Sequence, residues 1–400
     1  MQMLPKTRDL FGREGRSYPS AYVTTPLCCP SRSSIMTGRY VHNHGVTSND
    51  IVQSLPFEDS LQATLQRRGY TTALFGKFLN AWPMSKTPPH FDTFAVSEHG
   101  YRDRRWNTDG AVGVVPGYNT DIIGDRAVNF LEEQHSKPDP WLMYVAPYGP
   151  HAPYDTDHAY RRAALPGFKP NPAMSETDRT DKPPYIQEHL QSYDLGGDRV
   201  RRGQLRTMPP IDDLVARVFA ELRRLGEENT IAVFISDNGK LWGEHGYIGK
   251  RVPYTEAVKV PFYVRWPGHV AAGSVDTRLV ANIDITPTIL GALGLDPGVR
   301  DGRNLLDESW TRDRLLLEVP SGASWASTRT SAYQFIRSYN PDGALVFEEY
   351  YDLAADPWQL ENLLADDNPA NDPEVEALRS QLADDMTCAG ADSAAENPCP

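Results

Sequence analysis

Short runs of β-branched, aromatic and aliphatic residues recur along the chain, at 71–75, 141–146, 230–236 and 260–265, each closed by Gly, Pro or Asn. Such runs predict buried strands. Between them lie helical patterns. Residues 211–225 place Ile211, Leu214, Val215, Val218, Phe219, Leu222 and Leu225 on one face of a 3.6-residue period, and Gly226 follows as a stop. Residues 121–133 and 284–293 predict shorter helices of the same kind. This alternation predicts an α/β fold with a mainly parallel sheet sandwiched by helices, whose ligands gather at the carboxyl ends of the strands. The stretch 154–210 is rich in Pro, Arg, Asp and Tyr without periodicity and reads as a long excursion over the surface, either a rim around a site or decoration. After about residue 307 the pattern changes to strands at 314–319, 332–339 and 344–351 and a helix at 373–385. The expected organisation is therefore a catalytic domain at 1–307 and a C-terminal subdomain at 308–400 with a small antiparallel sheet.

Composition narrows the function. With 40% hydrophobic and 10% aromatic residues over 400 positions, the chain can fill a substantial core. Its net charge of −13 offers no basic stripe for a nucleic acid, so an anionic substrate needs a local cationic pocket. Apolar runs are too short to span a bilayer, and no export signal is visible at the N-terminus. The four cysteines, Cys28, Cys29, Cys388 and Cys399, lack zinc-site spacing. The tail pair closes a small disulfide loop, as suits an exported protein, or remains as two thiols in a frayed end.

The densest chemistry lies at 28–39, Cys-Cys-Pro-Ser-Arg-Ser-Ser-Ile-Met-Thr-Gly-Arg. Pro30 suits the first turn of a helix and Gly38 its end, which puts Cys28 at a helix N-terminus, where unpaired amides favour an anion. An isolated cysteine reads more plainly as a small buried apolar residue. The whole string, however, resembles the sulfatase signature C-x-P-S-R-x-x-x-x-T-G-R, and its continuation Tyr-Val-His-Asn-His-Gly-Val is similar to the branch containing N-acetylglucosamine-6-sulfatases. The resemblance implies an alkaline-phosphatase-like fold and a formylglycine made from Cys28 by a formylglycine-generating enzyme. One hydroxyl of the hydrated aldehyde then attacks sulfur and the other later expels the sulfate.

Further motifs extend the resemblance. Asp237 and Asn238 close the strand at 230–236 with Gly239; alone they make a good turn, but their hard oxygens also suit Ca²⁺ or Mg²⁺, and the family binds calcium with this Ser-Asp-Asn-Gly segment. Lys77, after the strand at 71–75, matches a Lys that contacts the sulfate. Where many sulfatases carry a His two positions later, this chain has Leu79. His151, in Gly-Pro-His-Ala-Pro, matches a residue that serves the leaving alcohol. Lys250 matches a Lys facing the sulfate, and Arg32 one that holds the nucleophile near the metal. Glu244 and His245 are expected as supporting groups near Lys250. The matching motifs run from about residue 5 to 365.

Sulfatases also begin with a hydrophobic strand ending in two Asp residues that complete the metal site. No Asp-Asp pair stands ahead of Cys28. The expectation is a chain that lacks this strand, binds Ca²⁺ weakly and turns over poorly on its own. The implied substrate is a sulfated carbohydrate or aryl sulfate, and the implied location of the full-length protein is secreted or periplasmic. Two alternatives stay open: a phosphate or phosphonate ester hydrolase of the same superfamily, and an impaired sulfatase that only binds anions.

Overall fold

A computed structural model describes residues 1–322, 324–391 and 395–400. In chain order, strand β1 (Arg16–Ser17) precedes helix α1 (Cys28–Thr37), which is followed by strands β2 (Thr71–Gly76), β3 (Thr93–Ser97), β4 (Arg102–Thr108) and β5 (Ala111–Tyr118). Helix α2 (Asn119–His135) leads to β6 (Trp141–Ala146), and helices α3 (Asp198–Arg206) and α4 (Pro209–Leu225) lead to β7 (Ala232–Ile235). Strands β8 (Phe262–Arg265) and β9 (Ser274–Val275) and helix α5 (Ile285–Ala292) complete the α/β part. Four further strands, β10 (Leu315–Val319), β11 (Ser324–Arg329), β12 (Tyr333–Tyr339) and β13 (Leu345–Asp352), precede helix α6 (Val375–Asp385).

Helix α4 shows why the predicted elements form. Pro209 and Pro210 occupy its first positions, where a missing N–H costs nothing, and Gly226 ends it in the left-handed region at φ 74°. Its apolar stripe, Leu214, Val215, Val218, Phe219 and Leu222, packs with Phe130 and Leu131 of α2 on one face of the sheet. The hairpin β4–β5, strand β11 and helix α3 carry little hydrophobic signal. In the sheet order β5-β4-β3-β2-β6, β3 and β6 both run parallel to β2, whereas β4 pairs antiparallel with β3 and β5 antiparallel with β4, so the parallel pairs lie on the β6 side.

A second sheet, in the order β9-β1-β8-β7, lies beyond β6. The edges β6 and β7 belong to one layer. Trp141, Met143 and Val145 share a cluster with Ala232 and Phe234, and Tyr144 shares the opposite cluster with Ile231, Val233 and Ile235. No strand pairing joins β6 to β7 among the described residues. Both strands, expected to be buried, are half-buried along their whole length, because each lacks a neighbour on the side facing the other. Their carboxyl ends both open onto the region around Cys28.

The C-terminal strands form an antiparallel sheet in sequence order. Its core is continuous with Tyr40, Tyr254, Ala257 and Val258 of the α/β part. A fully buried pair, Arg312 with both oxygens of Asp284 at 2.8 Å, ties the approach to β10 to the start of α5. Cys388 and Cys399 form a disulfide. His42, just beyond α1, holds this tail by hydrogen bonds with Glu318 at 3.0 Å and with the Cys388 carbonyl at 2.9 Å.

Candidate active site

Helix α1 begins at Cys28 and ends at Gly38, at φ 67°, where an added Cβ would meet Pro287 and Arg300 at 3.1 Å. Every residue of the helix is buried. Asn282 pins it by donating to the Ser31 hydroxyl and carbonyl at 3.0 and 3.2 Å, and Asn49 accepts the Cys29 N–H at its open end. The position of Cys28 is thus fixed by the packing of the whole helix rather than by a loop.

The predicted residues converge on Cys28. Lys250 Nζ donates to Cys28 Sγ at 2.7 Å and to Asn238 Oδ1 at 3.0 Å. Burial pushes the Cys28 thiol up, but a hydrogen bond with His151 and the charges of Lys77 and Lys250 outweigh it and the opposing Asp237, lowering the pKa to about 6. His151 Nδ1 lies 2.6 Å from the Ala152 carbonyl, a contact that occupies this nitrogen as a donor and leaves Nε2 for Cys28. Lys77 is 8% exposed, and burial followed by Arg32 lowers its pKa. Burial would raise the pKa of Asp237, yet Arg32, Lys77, Lys250 and His151 hold it below the ordinary carboxylate value.

Arg32 shows what the pocket is built to take. Its Nε reaches the Cys28 carbonyl at 3.1 Å and Asp237 at 3.4 Å, and one Nη donates to Asn80 at 2.8 Å. The other Nη is buried without a partner. A buried guanidinium N–H left unpaired is costly, so an oxygen bound beside Cys28 would satisfy it. In this chain Sγ stands where the oxygens of a hydrated aldehyde would stand, and donors from Lys250, His151 and Arg32 fit such oxygens.

Asp237 and Asn238 offer two hard oxygens at the end of β7, of the type a divalent cation prefers. Among the described residues, no group of three Asp, Glu, His or Cys ligands gathers around them. Calcium takes about 6–8 oxygens, so these two would make only part of a coordination sphere.

Glu244 and His245 turn elsewhere. Glu244 accepts from Asn171 at 3.2 Å and from the Trp242 N–H at 2.5 Å. His245, at φ 53°, bonds Glu176 at 2.8 Å and lies against the Tyr254 ring. They anchor the 154–210 excursion instead of supporting Lys250 as expected. Three residues escaped the sequence reading. Asn80 orients Arg32 and donates its N–H to Cys29 Sγ at 3.0 Å; Lys240 is close enough to Cys28 and Lys250 to feel both charges, although burial dominates its lowered pKa. Both adjoin recognised motifs, which was the available signal. His99 has none: it sits in a loop after β3 with its ring 6.4 Å from His151, and burial, with Lys77, His151 and Arg32, lowers its pKa to about 4.

A buried cysteine at a helix N-terminus, with Lys and His side chains gathered on it from beyond the carboxyl ends of β2, β6 and β7, sits in an alkaline-phosphatase-like α/β fold. The chain belongs to the sulfatase family, whose model matches residues 1–295. It is 33% identical over 77% of its length to an extracellular sulfatase homologue of Caenorhabditis elegans, of which it spans 46%. Human N-acetylglucosamine-6-sulfatase is 29% identical over 91% of the chain and 78% of its own length. A solved structure in complex with its substrate D-glucosamine-2-N,6-O-disulfate superposes with a TM-score of 0.79 at 23% identity, covering 95% of this chain and 91% of the other. Sulfatases as a family use formylglycine and a divalent metal.

Proposed function

We propose that the chain hydrolyses sulfate monoesters of amino sugars, with Cys28 as the formylglycine precursor and Ca²⁺ at Asp237 and Asn238. The observation that carries this reading is the convergence of Lys77, His151, Lys250 and Arg32, with its one unpaired Nη, on the first residue of α1. Family membership supplies the reaction class. The relative named an N-acetylglucosamine-6-sulfatase, and the neighbour solved with a glucosamine disulfate, support the sugar.

A hydrated aldehyde at position 28 would supply the attacking hydroxyl and a second one for release of sulfate. A divalent cation held by Asp237 and Asn238, with oxygens beyond these two, would supply a Lewis acid at the sulfate edge. Arg32 orients the attacking oxygen and offers its free N–H to developing charge. Lys77 and Lys250 bind the equatorial sulfate oxygens, and a field that already lowers the Cys28 thiol to about 6 favours negative oxygen there as well. His151 Nε2 holds the proton for the leaving alcohol. The disulfide in the tail and relatives named extracellular support an exported protein.

The test is co-expression with a formylglycine-generating enzyme, then calcium-supplemented assays on N-acetylglucosamine 6-sulfate, nitrophenyl sulfate, nitrophenyl phosphate and a phosphonate monoester. Sulfate release that disappears in Cys28→Ala is expected. Preferential hydrolysis of the phosphorus esters, or full turnover by Cys28→Ala, would overturn the reading.

A further inference from the structure

We infer that the 154–210 excursion holds a second anion-binding subsite, which takes a sulfate or carboxylate on a sugar neighbouring the one that carries the scissile ester. This inference rests on the sulfate-ester reading of the site around Cys28. Its basis is a separate cavity of about 490 Å³ between the 163–170 loop and α3.

Three guanidinium groups, those of Arg201, Arg202 and Arg206, line this cavity against one carboxylate, Asp198. Arg201 is 6% exposed and held in place: its guanidinium lies 4.6 Å from the centre of the Phe168 ring, and it donates to the Tyr193 hydroxyl at 3.0 Å and to Asp198 at 3.3 Å. Arg202 uses the other oxygen of the same Asp198, at 2.7 Å. Arg206 makes no hydrogen bond or ion pair among the described residues, and its Nε is buried without a partner. One carboxylate shared by two arginines, beside a third with none, leaves the cavity cationic inside a chain whose net charge is −13. A planar guanidinium fork matches carboxylate and sulfate oxygens in pairs.

The aromatic side chains give the cavity its second property. Phe168 and Tyr193 line the cavity with ring centres 5.2 Å apart, and Trp242 backs Phe168 at 5.8 Å, so the walls offer aromatic surface beside the charges. A sugar ring has apolar C–H faces and charged substituents, and it uses both kinds of surface at once. The cavity is also tied to the reaction site. Trp242, between Asn238 and Lys250 in the chain, donates its indole N–H to Gln204 of α3 at 2.5 Å, and Gln204 reaches the Pro150 carbonyl beside His151 at 3.5 Å. Helix α3 thus touches both segments that bring residues to Cys28.

The experiment compares Arg206→Gln with the parent on N-acetylglucosamine 6-sulfate and on a tetrasaccharide of alternating sulfated glucosamine and uronic acid. Loss of one charge-assisted pair, about 1.4 kcal/mol, should lower kcat/KM on the tetrasaccharide roughly tenfold and leave the monosaccharide within about twofold. Arg206→Lys should recover part of the loss. Equal losses on both substrates, or none on either, would overturn the inference. Calorimetry of the tetrasaccharide on Cys28→Ala, with and without Arg206→Gln, separates this from failure of the sulfatase reading, because it needs no turnover. Salt-sensitive binding weakened by Arg206→Gln supports the subsite even without hydrolysis; binding that is absent or indifferent to Arg206 overturns it. Carboxyl-reduced and N-desulfated tetrasaccharides then tell which anion the arginines hold.

Discussion

The electrostatics of the pocket can be tested without substrate, metal or modification, by titrating Cys28 in unmodified protein. A fall from an ordinary 9.0 to about 6 corresponds to roughly 4 kcal/mol of preference for the thiolate over the thiol. That preference survives although burial opposes it, so the His151 hydrogen bond together with the charges of Lys77 and Lys250 must exceed the desolvation cost. Lys250 places its Nζ 2.7 Å from Sγ. Its replacement by Met removes a hydrogen bond and a charge and should raise the midpoint by about 1–2 pH units. The assay is the ultraviolet absorbance of the thiolate against pH in a Cys29→Ser background, because Cys29 is itself shifted upward by burial. The sign also fixes a stability profile. With the folded pKa below the unfolded one, the contribution is fully present above about 9 and is lost as pH falls towards 6, and Lys250→Met should flatten that slope. A parent midpoint near 9, or a midpoint that Lys250→Met leaves in place, would refute the argument that these cations are focused on position 28.

Two further outcomes follow from the packing. Arg312→Met strands the fully buried Asp284 without its partner and should cost about 3–5 kcal/mol in urea unfolding, whereas Asp284→Asn combined with Arg312→Met should cost less than the sum of the single changes. Burial alone would lower the pKa of His42, but its bond and charge interaction with Glu318 and the Cys388 carbonyl raise it. This stabilisation is therefore present below the unfolded value near 6.5 and is lost as pH rises through the higher folded value; Glu318→Gln should remove the dependence, as read from urea midpoints across roughly pH 5–8.

How much of this was legible in the sequence depended on what each segment buries. Helix α4 and strand β2 bury a periodic or continuous apolar face, and the local pattern located both. The hairpin β4–β5 reads Arg-Asp-Arg-Arg-Trp-Asn-Thr and then a Gly- and Pro-containing run, since β5 is an exposed edge and needs no apolar signature. Strand β11 hides Ser327, Thr328 and Arg329; Gln334 of β12 donates to the Ser327 hydroxyl and accepts from Arg329, cross-strand partners that no one-dimensional pattern displays. Helix α3 has one Leu and one Val among four arginines. In the site, motif residues could be named from the string, but what joins Arg32 to Asn80, or His99 to His151, is a crossing of segments far apart in the chain. Proximity in sequence misplaced Glu244 and His245, because the left-handed backbone at His245 turns the segment away before Lys250 brings it back.

Helix α1 has a consequence for how the protein must be made. Cys28 is 1% exposed, and every residue of the helix it begins is buried once the chain has folded. On the reading proposed above, in which Cys28 is a formylglycine precursor, an oxidising enzyme would have to reach this thiol before the helix closes over it. Maturation and folding would then compete in time, and a chain that folded first would keep a thiol in place. The yield of active molecules would then be set by the ratio of two rates during synthesis, and slower folding of this one helix would raise it.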